Sequence, residues 1–436
     1  MAAGQPLGLW QPKGMMNICV LGLWHLGSVT AACCARHFQV TGLEFDDRTV
    51  AALNRGQSPI HEPGLNDLLR AGLERKSLRF STDARSACAG TELLWVCYDT
   101  PVNECDESDT GFVLDRLRSV LPHVPPEALV LISSQLPVGT CAALEREFPH
   151  FRFACSPENL RLGKAIEAFE RAERVIAGIR ADADRPLLER LFKPFTSQVL
   201  FMRTESAEMV KHALNSFLAA SITFINEIAR LCEQVGADAR EVSAGLKSEP
   251  RIGPKAYLGP GGPFAGGTLA RDVVTLTKLA AEKHEPLSLV PAIKISNDLH
   301  RGWTFRRLEM ALGNLRQRTI AVLGLVYTPN TDTLRRSAAI ELCRQLLAAG
   351  ARVQAYDPAL SVLPPEWQTI VLAKDLAAAV SNADAAVICT EWPEFRQADW
   401  GALRSGMSGG LVIDPNRFLD ACMKGLPSVT HLSVGS

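Results

Sequence analysis

The chain carries almost no excess charge. Its 436 residues sum to a formal net charge of −1, so no global field favours nucleic acid or an anionic membrane. It lacks CxxC pairs: of 12 cysteines, several (Cys19, Cys97, Cys389) sit inside apolar strand or helix patterns. Buried reduced thiols in a cytoplasmic protein are expected, rather than a disulfide framework. It lacks any apolar run near the about 20 residues a membrane span needs. The most apolar stretch, Phe217–Ile225, is interrupted by Ser221 and Thr223. The opening MAAGQPLGLWQPKG lacks the basic-then-apolar order of a signal peptide, and residues 1–14 read as a loose extension. No metal site is expected.

Globular composition, 47% hydrophobic and 21% charged over this length, calls for two or three domains. Met16–Gly22 is a short run of β-formers ending in glycine. LWHLG, a small-residue helix pattern and the strand QVTGLEFD follow, the first unit of a nucleotide-binding βαβ. Gly22 and Gly27 occupy the first and third places of the glycine fingerprint, but Trp24 takes the second, where glycine lets backbone approach a pyrophosphate. Glu44 lies 22 residues after Gly22, where an acid can bond ribose hydroxyls and disfavours a 2′-phosphate. A structural βαβ without cofactor remains open on these residues alone.

Further strands are expected at Leu93–Tyr98, Ala128–Ser133, Phe151–Cys155, Arg174–Ile179 and Val199–Met202. Glu158 follows the Phe151–Cys155 strand in SPENLRLG, and as a bare sequence feature reads as a solvated loop acid. Thr204–Leu246 then reads as one long helix, with Gly236 the place where it would break. Lys211 and Asn215 are four apart and share a face. The loop Gly259–Asp272 holds five glycines and two prolines, which lets backbone approach a ligand. After helical periodicity over Val273–Leu312, a second nucleotide-type pattern runs through Arg318–Gly324, the helix Ile340–Leu347, Arg352–Asp357, Ala385–Thr390 and Gly410–Asp414. Only the first of the two α/β units is expected to keep two fingerprint glycines and an acid.

Several stretches in order, GLWHLG, GLEFD, EPGL, DTP, QLPVGT, SPENLRLGKAI, AEMVKHALNSFLAASITFINEIA, RIG, the glycine loop ending Arg271–Asp272, and YDP, resemble the UDP-glucose 6-dehydrogenase type of nucleotide-sugar dehydrogenase. The likeness covers nearly the whole chain from Met16. It implies an α/β fold with two Rossmann-like doubly wound domains, joined by a long central helix and a helical dimerisation region. The expected division is an extension over 1–14, an NAD-binding domain over 15–202, a central domain over 203–312 and a nucleotide-sugar-binding domain over 313–436. It implies NAD as cofactor, a UDP-glucose-like substrate oxidised twice at C6 to the carboxylate, a cytoplasmic homodimer, and neither nucleic acid nor membrane as partner. Carried over by position, Lys211, Asn215, Glu158, Asp272 and Thr268 hold the catalytic places. Gly22, Trp24, His25, Leu26, Gly27, Glu44, Thr100 and Gln135 fall at cofactor positions. Leu160, Arg161, Lys211, Asn215, Arg251, Tyr257, Gly261, Gly266, Gly267 and Arg417 fall at substrate positions, Arg251 reaching in from the neighbouring subunit. Arg335 is a second candidate, with Arg417, for a phosphate.

Five departures gather around one site. Thr268 stands where the family has its nucleophilic cysteine, and Arg271 replaces the lysine before Asp272. Leu162 replaces the second acid of the SPE segment, Gln135 a threonine, and Thr328 the lysine beside Tyr327. An alcohol needs a base and a charge for the developing alkoxide, which a lysine of burial-lowered pKa can supply. An aldehyde must first gain an oxygen or sulfur substituent, and a threonine hydroxyl is a far weaker nucleophile than a thiolate. Three readings stay open: a hydrate held by Asn215 and Asp272 gives up the second hydride, oxidation stops at an aldehyde or keto sugar, or the pocket binds without turnover. Cys155 is a possible relocated thiol, though a strand-end core position accounts for it better.

Overall fold

The computed structural model describes residues 15–436 except Glu104, Cys105, Asn159, Arg161 and Gly266. The expected extension over 1–14 and the substrate positions Arg161 and Gly266 therefore lie outside the described residues. The chain divides into two compact units, the first of residues 1–101 and 108–211, the second of 102–107 and 212–436.

In the first unit eight strands form one sheet in the order β3-β2-β1-β4-β5-β6-β7-β8. They are β1 (Asn17–Leu21), β2 (Gln39–Leu43), β3 (Leu78–Ser81), β4 (Leu93–Val96), β5 (Leu129–Ile132), β6 (Arg152–Cys155), β7 (Val175–Gly178) and β8 (Val199–Met202). All pairs are parallel except β6 with β7. The strands are apolar on both faces because a parallel sheet is covered on both. Ile18, Val20, Leu93, Trp95, Leu129 and Leu131 pack into one layer. The alternate residues Cys19, Leu21, Leu94, Val96, Val130 and Ile132 pack into the other, the period-two consequence of the pleat. Of the cysteines expected to be buried thiols, Cys19 and Cys97 are free and buried, whereas Cys389 is free and only half-buried; Cys155 is also free and buried. Cys155 ends β6 beside Cys141, whose thiol is pushed up by its bond to Cys155 and by burial.

The second unit repeats the plan with six parallel strands in the order β11-β10-β9-β12-β13-β14. They are β9 (Thr319–Leu323), β10 (Arg352–Tyr356), β11 (Val371–Leu372), β12 (Ala385–Ile388), β13 (Leu411–Ile413) and β14 (Thr430–Leu432). Ile320, Val322, Val387 and Ile413 face one core and Ala321, Leu323, Ala386 and Val412 the other.

The long helix is shorter than the whole Thr204–Leu246 run, breaking at Gly236 where the sequence placed the break. It spans Thr204–Val235 and ends at Gly236, whose φ of 71° is left-handed and closes a helix at little cost only for glycine. A separate helix, Ala239–Ser248, follows, capped by Asp238, which accepts from the Arg240 N–H. The glycine loop is also shorter. Thr268–Glu282 is helical, with Gly267 as its N-cap at φ 103°, so Thr268 and Asp272 stand one turn apart on a helix rather than in a loop. The helices Leu289–Arg301 and Trp303–Leu312 complete the central part.

Candidate active site

In the first unit the site grows from the turn after β1. Gly22 has φ 89°, and its N–H bonds the Leu43 carbonyl at 3.0 Å. A Cβ on Gly27 would come within 1.7 Å of the Gly22 carbonyl oxygen, so the third fingerprint glycine lets helix His25–Cys34 close onto the strand end. Trp24 is the N-cap of that helix, at φ −81°, and forms no side-chain cap bond. A side chain is accommodated there without left-handed strain. Glu44, just past β2, accepts the Leu23 N–H at 3.1 Å and its neighbour Phe45 N–H at 2.8 Å. Asp99 accepts the Leu26 N–H at 3.2 Å, and the Thr100 hydroxyl donates to the Gln135 carbonyl at 2.8 Å. Backbone amides of a helix's first turn favour an anion, and a strand-end acid suits an unphosphorylated adenosine ribose. These residues fit NAD.

Two acids that the motif reading left without a role brace this region. Glu62, only 4% exposed, pairs with His25 at 3.0 Å and accepts from the Gly163 and Ala165 amides at 2.8 and 2.9 Å. Glu208, on the first turns of the long helix, accepts the Gly139 and Cys141 amides at 2.6 and 2.9 Å. Glu208 thus holds the start of helix Thr140–Glu147. One turn on, Lys211 is buried and its Nζ donates to the Glu158 main-chain carbonyl at 2.6 Å. Glu158 is half-buried, and its carboxylate accepts the Leu160 amide. The sequence alone makes Glu158 a solvated acid; the fold ties both its carbonyl and its carboxylate.

In the second unit the same helix presents His212 and Asn215 to Asp272, which is 0% exposed. His212 Nδ1 lies 2.8 Å from Asp272 Oδ1, and the Asn215 amide donates to Oδ2. Thr268, one turn before Asp272 and exposed, lines a cavity of about 570 Å³ with Tyr257, Gly259, Gly261, Tyr327 and Asn416. That volume is in the range of small-ligand sites. The glycine loop forming its wall is held from below. Asn226 accepts the Gly261 amide at 3.0 Å, Asn416 the Gly262 amide at 2.7 Å, and Asn297 the Phe264 amide at 3.0 Å. His300 sits under Gly261: its Nε2 is 2.8 Å from that carbonyl, and Arg230 donates to its Nδ1 at 3.0 Å. Burial, with help from the Arg230 and Arg306 charges, lowers its pKa to about 4.

The remaining substrate positions are scattered. Arg251 is exposed and pairs with Glu249 at 2.7 Å. Arg417 is buried in an internal tie, donating to Asp238 at 2.8 Å and to the Gly435 carbonyl at 2.9 Å. Arg335 reaches the Val102 carbonyl at 3.3 Å. The second unit also corrects the expectation that only the first keeps a fingerprint acid. Asp357, after β10, accepts the Leu325 and Val326 amides at 2.6 and 2.9 Å, as Glu44 accepts Leu23. A Cβ on Gly324 would meet Thr390 at 2.4 Å, so the glycine after β9 is equally required.

A doubly wound sheet of this strand order, with a close-packed glycine turn, a strand-end acid and a buried lysine on the following helix, defines a dinucleotide-dependent dehydrogenase. Three stretches match one family in order: its NAD-binding domain at residues 16–196, its central domain at 205–299 and its UDP-binding domain at 321–421. The chain belongs to the UDP-glucose/GDP-mannose dehydrogenase family and carries out NAD-dependent oxidation of a nucleotide sugar. It is 34% identical over 415 residues to a UDP-glucose 6-dehydrogenase of Rhizobium meliloti (strain 1021), covering 92% of this chain and 94% of that one. It is 32% identical to the UDP-glucose 6-dehydrogenase TuaD of Bacillus subtilis (strain 168), covering 92% and 89%. Its fold superposes on a UDP-glucose dehydrogenase from Pyrobaculum islandicum with a TM-score of 0.84 at 30% identity, over 95% of this chain and 98% of that one. Among the described residues no helix is long and apolar enough to cross a membrane, and no cluster of side chains is suited to a metal.

Proposed function

We propose that the chain oxidises the C6 hydroxymethyl of UDP-glucose, or a close UDP-hexose, through the aldehyde to the uronate. The observation that carries this is Lys211, buried, with its Nζ fixed at 2.6 Å on the Glu158 carbonyl. A lysine Nζ fixed at that point can place positive charge where an alkoxide develops, which is where charge is of most use. Bound NAD supplies the hydride acceptor for both oxidations. Thr268 offers no thiolate, so the second oxidation draws on water added to the aldehyde, with Asp272 and Asn215 to hold the resulting hydrate. The 34% identity to a UDP-glucose 6-dehydrogenase along nearly the full length supports this choice of sugar.

The division of labour follows the same reading: 15–202 for NAD, 203–312 for chemistry and assembly, 313–436 for the uridine nucleotide. Phe217, Phe224 and Leu231 recur every seven residues on the long helix and are 70%, 48% and 62% exposed. Such spacing makes one apolar stripe, which supports a homodimer seamed along this helix, with Arg251 contributed to the neighbour's substrate. A cytoplasmic location fits the free, buried cysteines. The test is a panel of nucleotide sugars with NAD, products identified by mass. A uronate from UDP-glucose supports the proposal, and an aldehyde or keto sugar as the end product refutes it.

A further inference from the structure

His212 belongs to none of the catalytic positions above, yet it holds one of them. Asp272 is a fully buried carboxylate, and an ionised carboxylate is stable there only if donors replace its lost water. Two donors come from one face of the long helix, three residues apart: His212 Nδ1 at 2.8 Å from Oδ1, and the Asn215 amide on Oδ2. A carboxylate only accepts. The imidazole must therefore carry its proton on Nδ1, and Asn215 must turn its NH2 to Asp272, an orientation set by the network itself. With one N–H on Asp272, Asn215 still has its carbonyl oxygen, an acceptor, and its second N–H to offer a ligand. The acceptor suits a hydroxyl of an alcohol or of an aldehyde hydrate.

We propose that His212 is a positioning residue for the second oxidation. By holding Asp272 it fixes the Asn215 amide so that its oxygen takes a hydrogen bond from the aldehyde hydrate. The step balances without a thiol. Water adds its oxygen to the aldehyde carbon and its two hydrogens end as the two hydrate hydroxyls. The hydrate C–H then leaves as hydride to NAD, and one hydroxyl proton is released as the carboxylic acid forms. Thr268, one turn from Asp272 on the same helix, offers no thiolate to compete with water for the aldehyde. This inference rests on the four-electron reading proposed above.

The experiment compares the full chain with His212→Phe, His212→Asn and His212→Gln, using NAD and UDP-glucose, a hydrazine to trap carbonyl product, and a thermal melt of each protein. Asparagine places an N–H near the Nδ1 position; glutamine places it near Nε2. Misplacing a reacting geometry by about 1 Å costs on the order of 100-fold, so His212→Phe is expected to lower kcat about 100-fold at nearly unchanged KM. NADH per sugar should fall toward one and trapped aldehyde should appear. His212→Asn is expected to stay within about tenfold of wild type, and His212→Gln to resemble His212→Phe. Wild-type stoichiometry and rate in His212→Phe would overturn the proposal, as would equal losses in His212→Asn and His212→Gln that track a lowered melting temperature. If His212→Phe does not fold, the asparagine–glutamine contrast decides alone. A wild-type stoichiometry of one overturns the four-electron reading and this role together, whereas two NADH with an indifferent His212 overturns only the role.

Discussion

Acidification should loosen the glycine loop through His300, by an amount the structure sets. His300 is 1% exposed, accepts from Arg230 at Nδ1 and so donates from Nε2 to the Gly261 carbonyl. The fold therefore holds the neutral ring, and its pKa falls from the ordinary 6.5 to about 4. A base held neutral contributes stability that is complete above its unfolded pKa and is lost as pH falls from about 6.5 through about 4. At about 1.4 kcal/mol per pH unit, the full effect is about 3 kcal/mol, of which about 2 kcal/mol is gone by about pH 5. Urea denaturation of wild type and His300→Gln at several pH values between neutrality and pH 5 measures it. Glutamine can still donate to Gly261 but cannot charge. The wild-type midpoint should fall with acid more steeply than that of His300→Gln, at equal m-values. Parallel pH profiles for the two proteins would refute the tautomer and the role assigned to His300.

Three further outcomes follow from the site. Lys211→Ala should lower kcat by about 100- to 1000-fold with far less change in substrate affinity, because its charge matters most as the alkoxide forms; steady-state kinetics and sugar binding by calorimetry separate the two. Gly27→Ala puts a Cβ where the Gly22 carbonyl stands, at 1.7 Å, so NADH binding measured by fluorescence should be lost even where the chain remains folded. Thr268→Cys should yield a sugar adduct on the enzyme, visible by intact mass when the reaction is quenched during turnover, where wild type gives none.

Much of this was legible because parallel strands announce themselves. Buried on both faces, the central strands read as apolar runs, and β4, β5, β9 and β12 differ from expectation only at their ends; the partly exposed edge strand β8 matches its expected bounds. The strands β3, β11 and β14 had no such signal, being two to four residues long with exposed positions. The helical start at Thr268 was hidden by the glycines before it, since Gly267 reads as loop and acts as a cap. Lys211, Asn215 and Asp272 were named from their place in known motifs, but His212 was not. A histidine beside a lysine alters no periodicity, and only the fold sets it against the buried Asp272. Asp357 was missed for a related reason: YDP reads as a strand end, and its bonds to Leu325 and Val326 exist only across the sheet.

The central claim is that an active site with Thr268 in place of a thiol still carries the sugar through both oxidations. The most direct measurement is NADH formed per UDP-glucose consumed to completion, with the product identified by mass. Two NADH and a uronate are predicted; one NADH with a hydrazine-trapped aldehyde would contradict it.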